Sequence, residues 1–198
     1  MVRVMIEEED EAVIAPTNFS IVEEGIYRSS FPGSSNFSFL ETLNLRSIIY
    51  LCPEPYPQQN LEFLQSHNIR LFHFAIKGKT DLTVSSARDT ILEAVKVLID
   101  VRNHPVLIHC NQGKHRTGCV VGCLRKLQNW CVSSVCEEYK QFAGAKSRAT
   151  DLRFIETLEV SSLRQCLNSI IYQYLGCTSK MRLLNGDENS IKPQMTLV

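Results

Sequence analysis

One strand–loop–helix signal, between Val106 and Leu124, constrains this chain more than any other stretch of it. Val106-Leu107-Ile108 is a short apolar, β-branched run of the kind that fills the middle of a sheet. Cys119-Val120-Val121-Gly122-Cys123-Leu124 opens a helical pattern. Between them lies His109-Cys110-Asn111-Gln112-Gly113-Lys114-His115-Arg116-Thr117-Gly118, a polar loop with two glycines and a dense positive cluster. The backbone N–H groups of such a loop can converge on an anion, and the helix N-terminus behind it adds a favourable dipole. Cys110 and Arg116, with five residues between them, suit thiolate attack on phosphorus. Arg116 offers a planar fork of donors to two phosphate oxygens, and the positive surroundings favour the thiolate form of Cys110. A Cys-x5-Arg spacing arises by chance in many chains. Its coincidence with a strand end, two glycines and a helix start gives it chemical meaning here.

The rest of the chain alternates short strands with amphipathic helices. Ile21-Val22 and Ile26-Tyr27-Arg28 flank Glu23-Glu24-Gly25 and read as a hairpin. Asn36 stands where it can cap a short helix running through Leu43. Arg46 to Leu51 is the next strand, and the three prolines of Cys52-Pro53-Glu54-Pro55-Tyr56-Pro57 force a loop after it. Asn60 to Ser66 is helical with Leu61 and Leu64 inward, and Ile69 to Phe74 is a strand. A polar loop from Ala75 to Thr83 carries Lys77, Lys79 and Asp81. A longer helix then runs from Ser85 or Ser86 to about Arg102, its apolar stripe Ile91, Ala94, Val95, Leu98 and Ile99. Beyond the reactive loop, helices are expected from about Thr117 to Gln128, Ser133 to Phe142, Asp151 to about Glu159, and Ser161 to Leu175. This order implies an α/β fold with a mostly parallel central sheet and helices on both faces. Ligands in such folds bind beyond the carboxyl ends of the strands. The reactive loop, Cys52 and the Asp81 loop all follow strands, so they share one edge of the sheet.

Charge is distributed unevenly along the 198 residues. The first eleven carry one Arg against five acids, whereas His104 to Arg148 holds seven Lys or Arg against Glu137 and Glu138. The basic segment contains the reactive loop and favours an anionic substrate. Residues 1–15 read as a flexible acidic arm, 16–175 as the folded domain, and 176–198 as a polar, flexible tail. The eight cysteines form neither a disulfide framework nor a zinc motif, which with the absence of a signal peptide points to reduced thiols in the cytoplasm or nucleus. No cofactor, metal, nucleic-acid motif or membrane-spanning run is read from the residues.

The string Gly113-Lys114-His115-Arg116-Thr117-Gly118 is more specific than the spacing alone. Together with Asn36-Phe37-Ser38-Phe39, Leu51-Cys52-Pro53-Glu54-Pro55-Tyr56 and Cys123-Leu124-Arg125-Lys126-Leu127-Gln128, it resembles the plant and fungal atypical dual-specificity phosphatases over roughly residues 15 to 175. The resemblance implies a compact dual-specificity phosphatase fold. It also implies hydrolysis of inositol pyrophosphates at the β-phosphate of the five position. Asn111-Gln112 and Lys77 depart from the family pattern in loop and rim charge, and Ser30 stands where Gly is usual.

Each residue then has an expected role. Cys110 attacks phosphorus and forms a phosphocysteine, while Arg116 and the loop N–H groups hold the equatorial oxygens. Asn111, Gln112, Gly113, Lys114 and His115 line the anion site, Lys114 and His115 adding positive charge, and Lys77, Lys79, Lys146 and Arg148 extend the patch. Asp81 is the candidate general acid. His109 orients the loop, and Thr117 donates to the Cys110 sulfur. Cys52 is a candidate redox partner that traps oxidised Cys110 as a disulfide. The partner is a highly anionic small molecule such as an inositol pyrophosphate, or a phosphoprotein. Competing readings are a dual-specificity protein tyrosine phosphatase or phosphoinositide phosphatase and, in another class, a non-catalytic phospholigand-binding module. The only Trp, Trp130, precedes Cys131 rather than the Pro-Asp of a Trp-Pro-Asp acid loop.

Overall fold

The computed structural model describes residues 13–77 and 85–171. Lys79 and Asp81 lie outside the described residues, as do most of the acidic arm and all of the polar tail. Five strands form one sheet: β1 Ser20–Glu23, β2 Ile26–Ser29, β3 Ser47–Tyr50, β4 Arg70–His73 and β5 Val106–His109. Their spatial order is β1-β2-β5-β3-β4. Only the β1–β2 hairpin is antiparallel; the other three pairings are parallel. β5 is the middle strand, with Leu107 in register between Tyr27 and Ile48. Its four residues, and Ile48 and Ile49 of β3, are completely buried. That requires both faces of the sheet to be covered, as the run of apolar β-branched residues implies.

The helices are α1 Phe37–Thr42, α2 Gln58–Ser66, α3 Ser85–Ile99, α4 His115–Leu127, α5 Val132–Ala143 and α6 Ala149–Thr157, with a further helical run at 161–171. The apolar stripe of α3 is buried as expected. α4 is buried nearly all round because α3, α5 and α6 all pack on it. Gly118 permits the α5 contact: a Cβ there would lie 2.8 Å from Cδ2 of Tyr139. At the far end of α4, Arg125 is buried and paired. Its Nε donates to Glu138 at 3.0 Å, its Nη1 to Glu23 at 2.6 Å, and its Nη2 to the Val22 carbonyl at 3.0 Å. Using the donors in this way offsets the cost of burying a guanidinium, and the bonds tie α4 to α5 and to the edge strand.

Three sequence expectations are corrected here. Asn36 does not cap α1. Its Oδ1 accepts from the Gly33 N–H at 3.0 Å and its Nδ2 donates to the Ile14 carbonyl at 3.0 Å, so it closes the turn before the helix. In α2 the inward positions are Asn60, Phe63 and Leu64, with Leu61 only half-buried, because Phe63 stacks on Phe37 of α1 at 4.2 Å. α4 begins at His115 rather than Thr117, since the Gly118 N–H already donates to the Lys114 carbonyl at 3.0 Å.

Candidate active site

The reactive loop leaves the carboxyl end of β5 and enters α4. Four successive loop carbonyls are claimed by the scaffold. Asn111 accepts from the Phe31 N–H at 3.2 Å, Gln112 from Asn18 Nδ2 at 3.0 Å, Gly113 from Arg28 Nη2 at 2.8 Å, and Lys114 from the Gly118 N–H at 3.0 Å. In a trans peptide the N–H points opposite to the preceding carbonyl. Gln112, Gly113, Lys114 and His115 therefore turn their N–H groups the other way, which is an anion-binding nest. Gly113 makes the fit possible. Its φ is +66°, and a Cβ there would lie 2.5 Å from the Ser29 carbonyl group.

Cys110 and Arg116 meet at a cavity of about 460 Å³ lined also by Asn111, Gln112, His115, Lys146 and Arg148. Arg116 Nη1 donates to the carbonyls of Leu51, at 3.2 Å, and Ile76, at 3.0 Å. The ends of two strand segments thus brace one nitrogen, and Nε and Nη2 remain for phosphate oxygens. A second cavity of about 660 Å³ shares Asn111, Gln112 and Lys146 with the first and adds Lys114. Lys77 is exposed immediately after Ile76.

Behind the loop, His109 is completely buried, and its Nε2 lies 3.1 Å from the Tyr56 hydroxyl. Burial pushes its pKa down to about 3, the Cys110 backbone opposing slightly, so the ring is neutral. The bond to Tyr56 fixes the ring directly before Cys110. Thr117 differs from expectation. Its hydroxyl is buried without a protein partner, so it makes no hydrogen bond to the Cys110 sulfur in this structure. Arg28 is buried with its guanidinium 3.5 Å from the centre of the Phe142 ring.

His115 also departs from expectation. Its Nδ1 lies 3.1 Å from both Asp151 Oδ2 and the Tyr139 hydroxyl, and Tyr139 donates to the same Asp151 oxygen at 2.6 Å. Burial, then the nearby Arg148 and Lys114, hold its pKa below the usual imidazole value, although Asp151 pulls the other way. It is neutral near pH 7 and adds no fixed charge to the loop.

Cys52 is buried just beyond β3, the strand beside β5, and the Leu51 N–H donates to the His109 carbonyl at 3.1 Å. The two cysteines thus follow neighbouring strands to one edge. Burial raises the Cys52 thiol pKa, with Arg116 and the Asn111 amide partly offsetting it. Residue patterns alone did not single out Asn18, Arg28, Phe31, Tyr56, Tyr139 or Asp151. The partner of each comes from another segment of the chain, which no local pattern reports.

Residues 13–175 match the model of the tyrosine phosphatase family. The chain is 62% identical to inositol diphosphatase DSP3 of Arabidopsis thaliana over 182 residues, 92% of this chain and 90% of that one. It is 46% identical to inositol diphosphatase SIW14 of Saccharomyces cerevisiae over 157 residues, 79% of this chain and 56% of the yeast protein. The crystal structure of the core catalytic domain of the PP-IP phosphatase SIW14, in complex with citrate, superposes with a TM-score of 0.75 at 45% identity. That match covers 80% of this chain and 95% of the yeast domain. The family match over most of the chain and the likeness in both sequence and fold agree, and the chain belongs to the plant and fungal atypical dual-specificity branch of the tyrosine phosphatase family.

Proposed function

We propose that this protein hydrolyses the β-phosphate of inositol pyrophosphates, the five-position diphosphate preferred, through a phosphocysteine on Cys110. The observation that carries the reading is the anion nest with Cys110 at its base and Arg116 at its wall, opening directly beside Lys114, Lys146 and Arg148. Cys110 attacks phosphorus in line. The nest and Arg116 stabilise the three equatorial oxygens, where transition-state charge is spread. Water then releases phosphate from sulfur. The two adjoining cavities give a polyphosphorylated ring room and countercharge beyond the phosphoryl group being cut. The names of the close relatives, inositol diphosphatases, support the same substrate class.

The pyrophosphate reading eases the demand for an acid. Its leaving group is a phosphate whose second pKa is about 6, whereas an alkoxide needs a proton in the transition state. Asp81, on the loop between β4 and α3, supplies that proton for harder leaving groups. The folded domain of this reading spans 16–175. The same reading places the protein in the cytoplasm or nucleus, supported by the free state of all seven described cysteines; no described helix is long and apolar enough to cross a membrane.

Phosphate release from an inositol pyrophosphate, a phosphotyrosine peptide and a phosphoinositide tests the proposal. The expected order puts the pyrophosphate first, and Cys110→Ser abolishes turnover while keeping binding. A phosphotyrosine peptide or phosphoinositide cleaved more efficiently would overturn the substrate assignment, and turnover by Cys110→Ser would overturn the covalent mechanism.

A further inference from the structure

Among the described side chains that line the catalytic cavity, His115 is the one imidazole. Its Nδ1 is committed to the wall, 3.1 Å from Asp151 Oδ2 and 3.1 Å from the Tyr139 hydroxyl. Asp151 is almost completely buried, and Tyr139 donates its own proton to the same carboxylate oxygen at 2.6 Å. A carboxylate that faces Nδ1 selects the tautomer with the proton there, which leaves Nε2 with a lone pair. The described residues offer Nε2 no hydrogen-bond partner. With Nδ1 turned into the wall, the Nε2 edge of this half-buried ring is the edge left for the cavity.

A bare lone pair beside a phosphate nest is repulsive toward the oxygens the nest collects. The arrangement makes sense if the ring changes state with its ligand. We propose that His115 is an anion-binding residue whose charge arrives with the ligand: the ring takes one proton from solvent as a phosphoryl group enters the loop, Nε2–H then donates to a phosphoryl oxygen, and Asp151 and Tyr139 are the positioning residues that hold it in that pose. The inference rests on the phosphatase reading only in placing a phosphoryl anion in this loop, and it requires no inositol.

The charges facing His115 fix the direction. From α5 comes the Tyr139 hydroxyl, and from α6 and its first turn come Asp151 and Arg148. Lys146 stands on the turn between those helices, and Lys114, Cys110 and Arg116 belong to the loop itself. Beneath them is the thiol of Cys119, which burial and Asp151 keep protonated. In the free protein, burial and the surrounding cations outweigh the one carboxylate, so the imidazole is neutral. A bound dianion reverses that balance, because an opposite charge within about 4–6 Å favours the protonated ring. Asp151 then becomes the second half of an ion pair that the free protein does not have. An inner wall that gains charge only in the complex avoids adding another cation to a crowded site when it is empty.

Proton uptake on binding tests this. The probe is tungstate, a dianion that does not itself titrate near neutral pH, and the protein is Cys110→Ser, which removes the Cys110 sulfur as a competing site for the proton. Calorimetry at pH 7.5 in buffers of different ionisation enthalpy gives the protons taken up per tungstate bound. The expected result is an uptake approaching one, on the order of a full imidazole titration, falling to near zero in Cys110→Ser/His115→Gln. That second variant should also bind tungstate about ten- to a hundredfold more weakly, the worth of one charge-assisted hydrogen bond. Asp151→Asn in the Cys110→Ser background should lower the uptake while leaving the nest in place. Long-range ¹H–¹⁵N spectra of the Cys110→Ser protein read the same ring directly: neutral with the proton on Nδ1 when free, and doubly protonated when tungstate is bound. A fold failure in either variant therefore does not remove the test. Undiminished uptake in the His115→Gln protein, or a His115 ring that stays neutral in the complex, would overturn the proposal. Either result leaves the inositol pyrophosphate reading standing, since tungstate reports on the loop alone.

Discussion

Gly113→Ala is the most economical test of how the loop is held. Two costs follow from the structure. The backbone at Gly113 has φ +66°, a left-handed conformation that costs an L-residue about 1–2 kcal/mol. The new Cβ would also sit 2.5 Å from the carbon and oxygen of the Ser29 carbonyl and 2.7 Å from the Ser30 nitrogen. Those are backbone atoms at the end of β2, so no side chain can swing aside. Overpacking of this kind typically adds about 1–3 kcal/mol. The sum, roughly 2–5 kcal/mol, corresponds to a fall in melting temperature of about 5–15 °C for a domain of this size. Function should suffer more than stability. Relief of the clash must move the loop from β2 by a distance on the order of 1 Å, and a shift of that size costs about 10²-fold in rate when it misplaces a reacting group. The Arg28 and Phe31 bonds to the loop carbonyls lie directly across the widened gap. The assay is kcat/KM on an aryl phosphate beside a thermal melt. Gly113→Ala with wild-type kcat/KM and an unchanged melt would refute the claim that close approach to β2 sets the loop's shape.

Three further outcomes are expected. Asp81→Asn should slow hydrolysis of an alkyl phosphate by about 10²–10⁴-fold and of a pyrophosphate far less; equal losses would assign Asp81 to positioning. His109 is held neutral by burial, its pKa about 3 when folded against 6.5 as an ordinary imidazole. Its share of stability is thus complete above about pH 6.5, falls as pH drops below that by at most about 1.4 kcal/mol per unit, and levels off below about 3; urea midpoints at pH 7.5 and 5 should diverge more for wild type than for His109→Gln. After mild hydrogen peroxide, the wild type should regain activity with thiol reductant and Cys52→Ser should regain less. In that sequence peroxide oxidises Cys110 to the sulfenic acid, and the Cys52 thiol then displaces water to form a disulfide. Equal recovery, with no Cys52–Cys110 peptide by mass spectrometry, would rule the switch out.

The parallel core of the fold was legible because buried strands in such sheets are short apolar runs, and Val106-Leu107-Ile108 and Ser47-Ile48-Ile49-Tyr50 are of that kind. That Cys110 and Arg116 meet at one cavity was legible because their segment is local: a strand end, a loop and a helix start, consecutive in the chain. The neutral state of His115 was not. Read from its neighbours in sequence, Lys114 and Arg116, it looks like one more cation. Read from its neighbours in space, Tyr139 and Asp151, it is a wall residue held by a carboxylate 36 positions away. Asn36 and α2 failed for a related reason. Capping and inward facing are decided by what lies opposite, and Ile14 and Phe37 supply that from other segments.

Arg28 shows how far the loop's chemistry extends beyond the residues that touch phosphate. A lone Arg in a strand ordinarily reads as a surface charge, yet this one is buried, faces the Phe142 ring and donates to the Gly113 carbonyl at 2.8 Å. Burial lowers its pKa to about 10, which still leaves it a cation at neutral pH. Its bond helps to turn the Gly113 carbonyl outward and so the Lys114 N–H inward. Its charge also remains behind the nest, where an interior is screened less than bulk water. A cation that never contacts the substrate therefore contributes twice, once to the geometry of the donors and once to the potential they present. That arrangement puts positive charge behind a loop that carries Asn111 and Gln112 in place of basic residues.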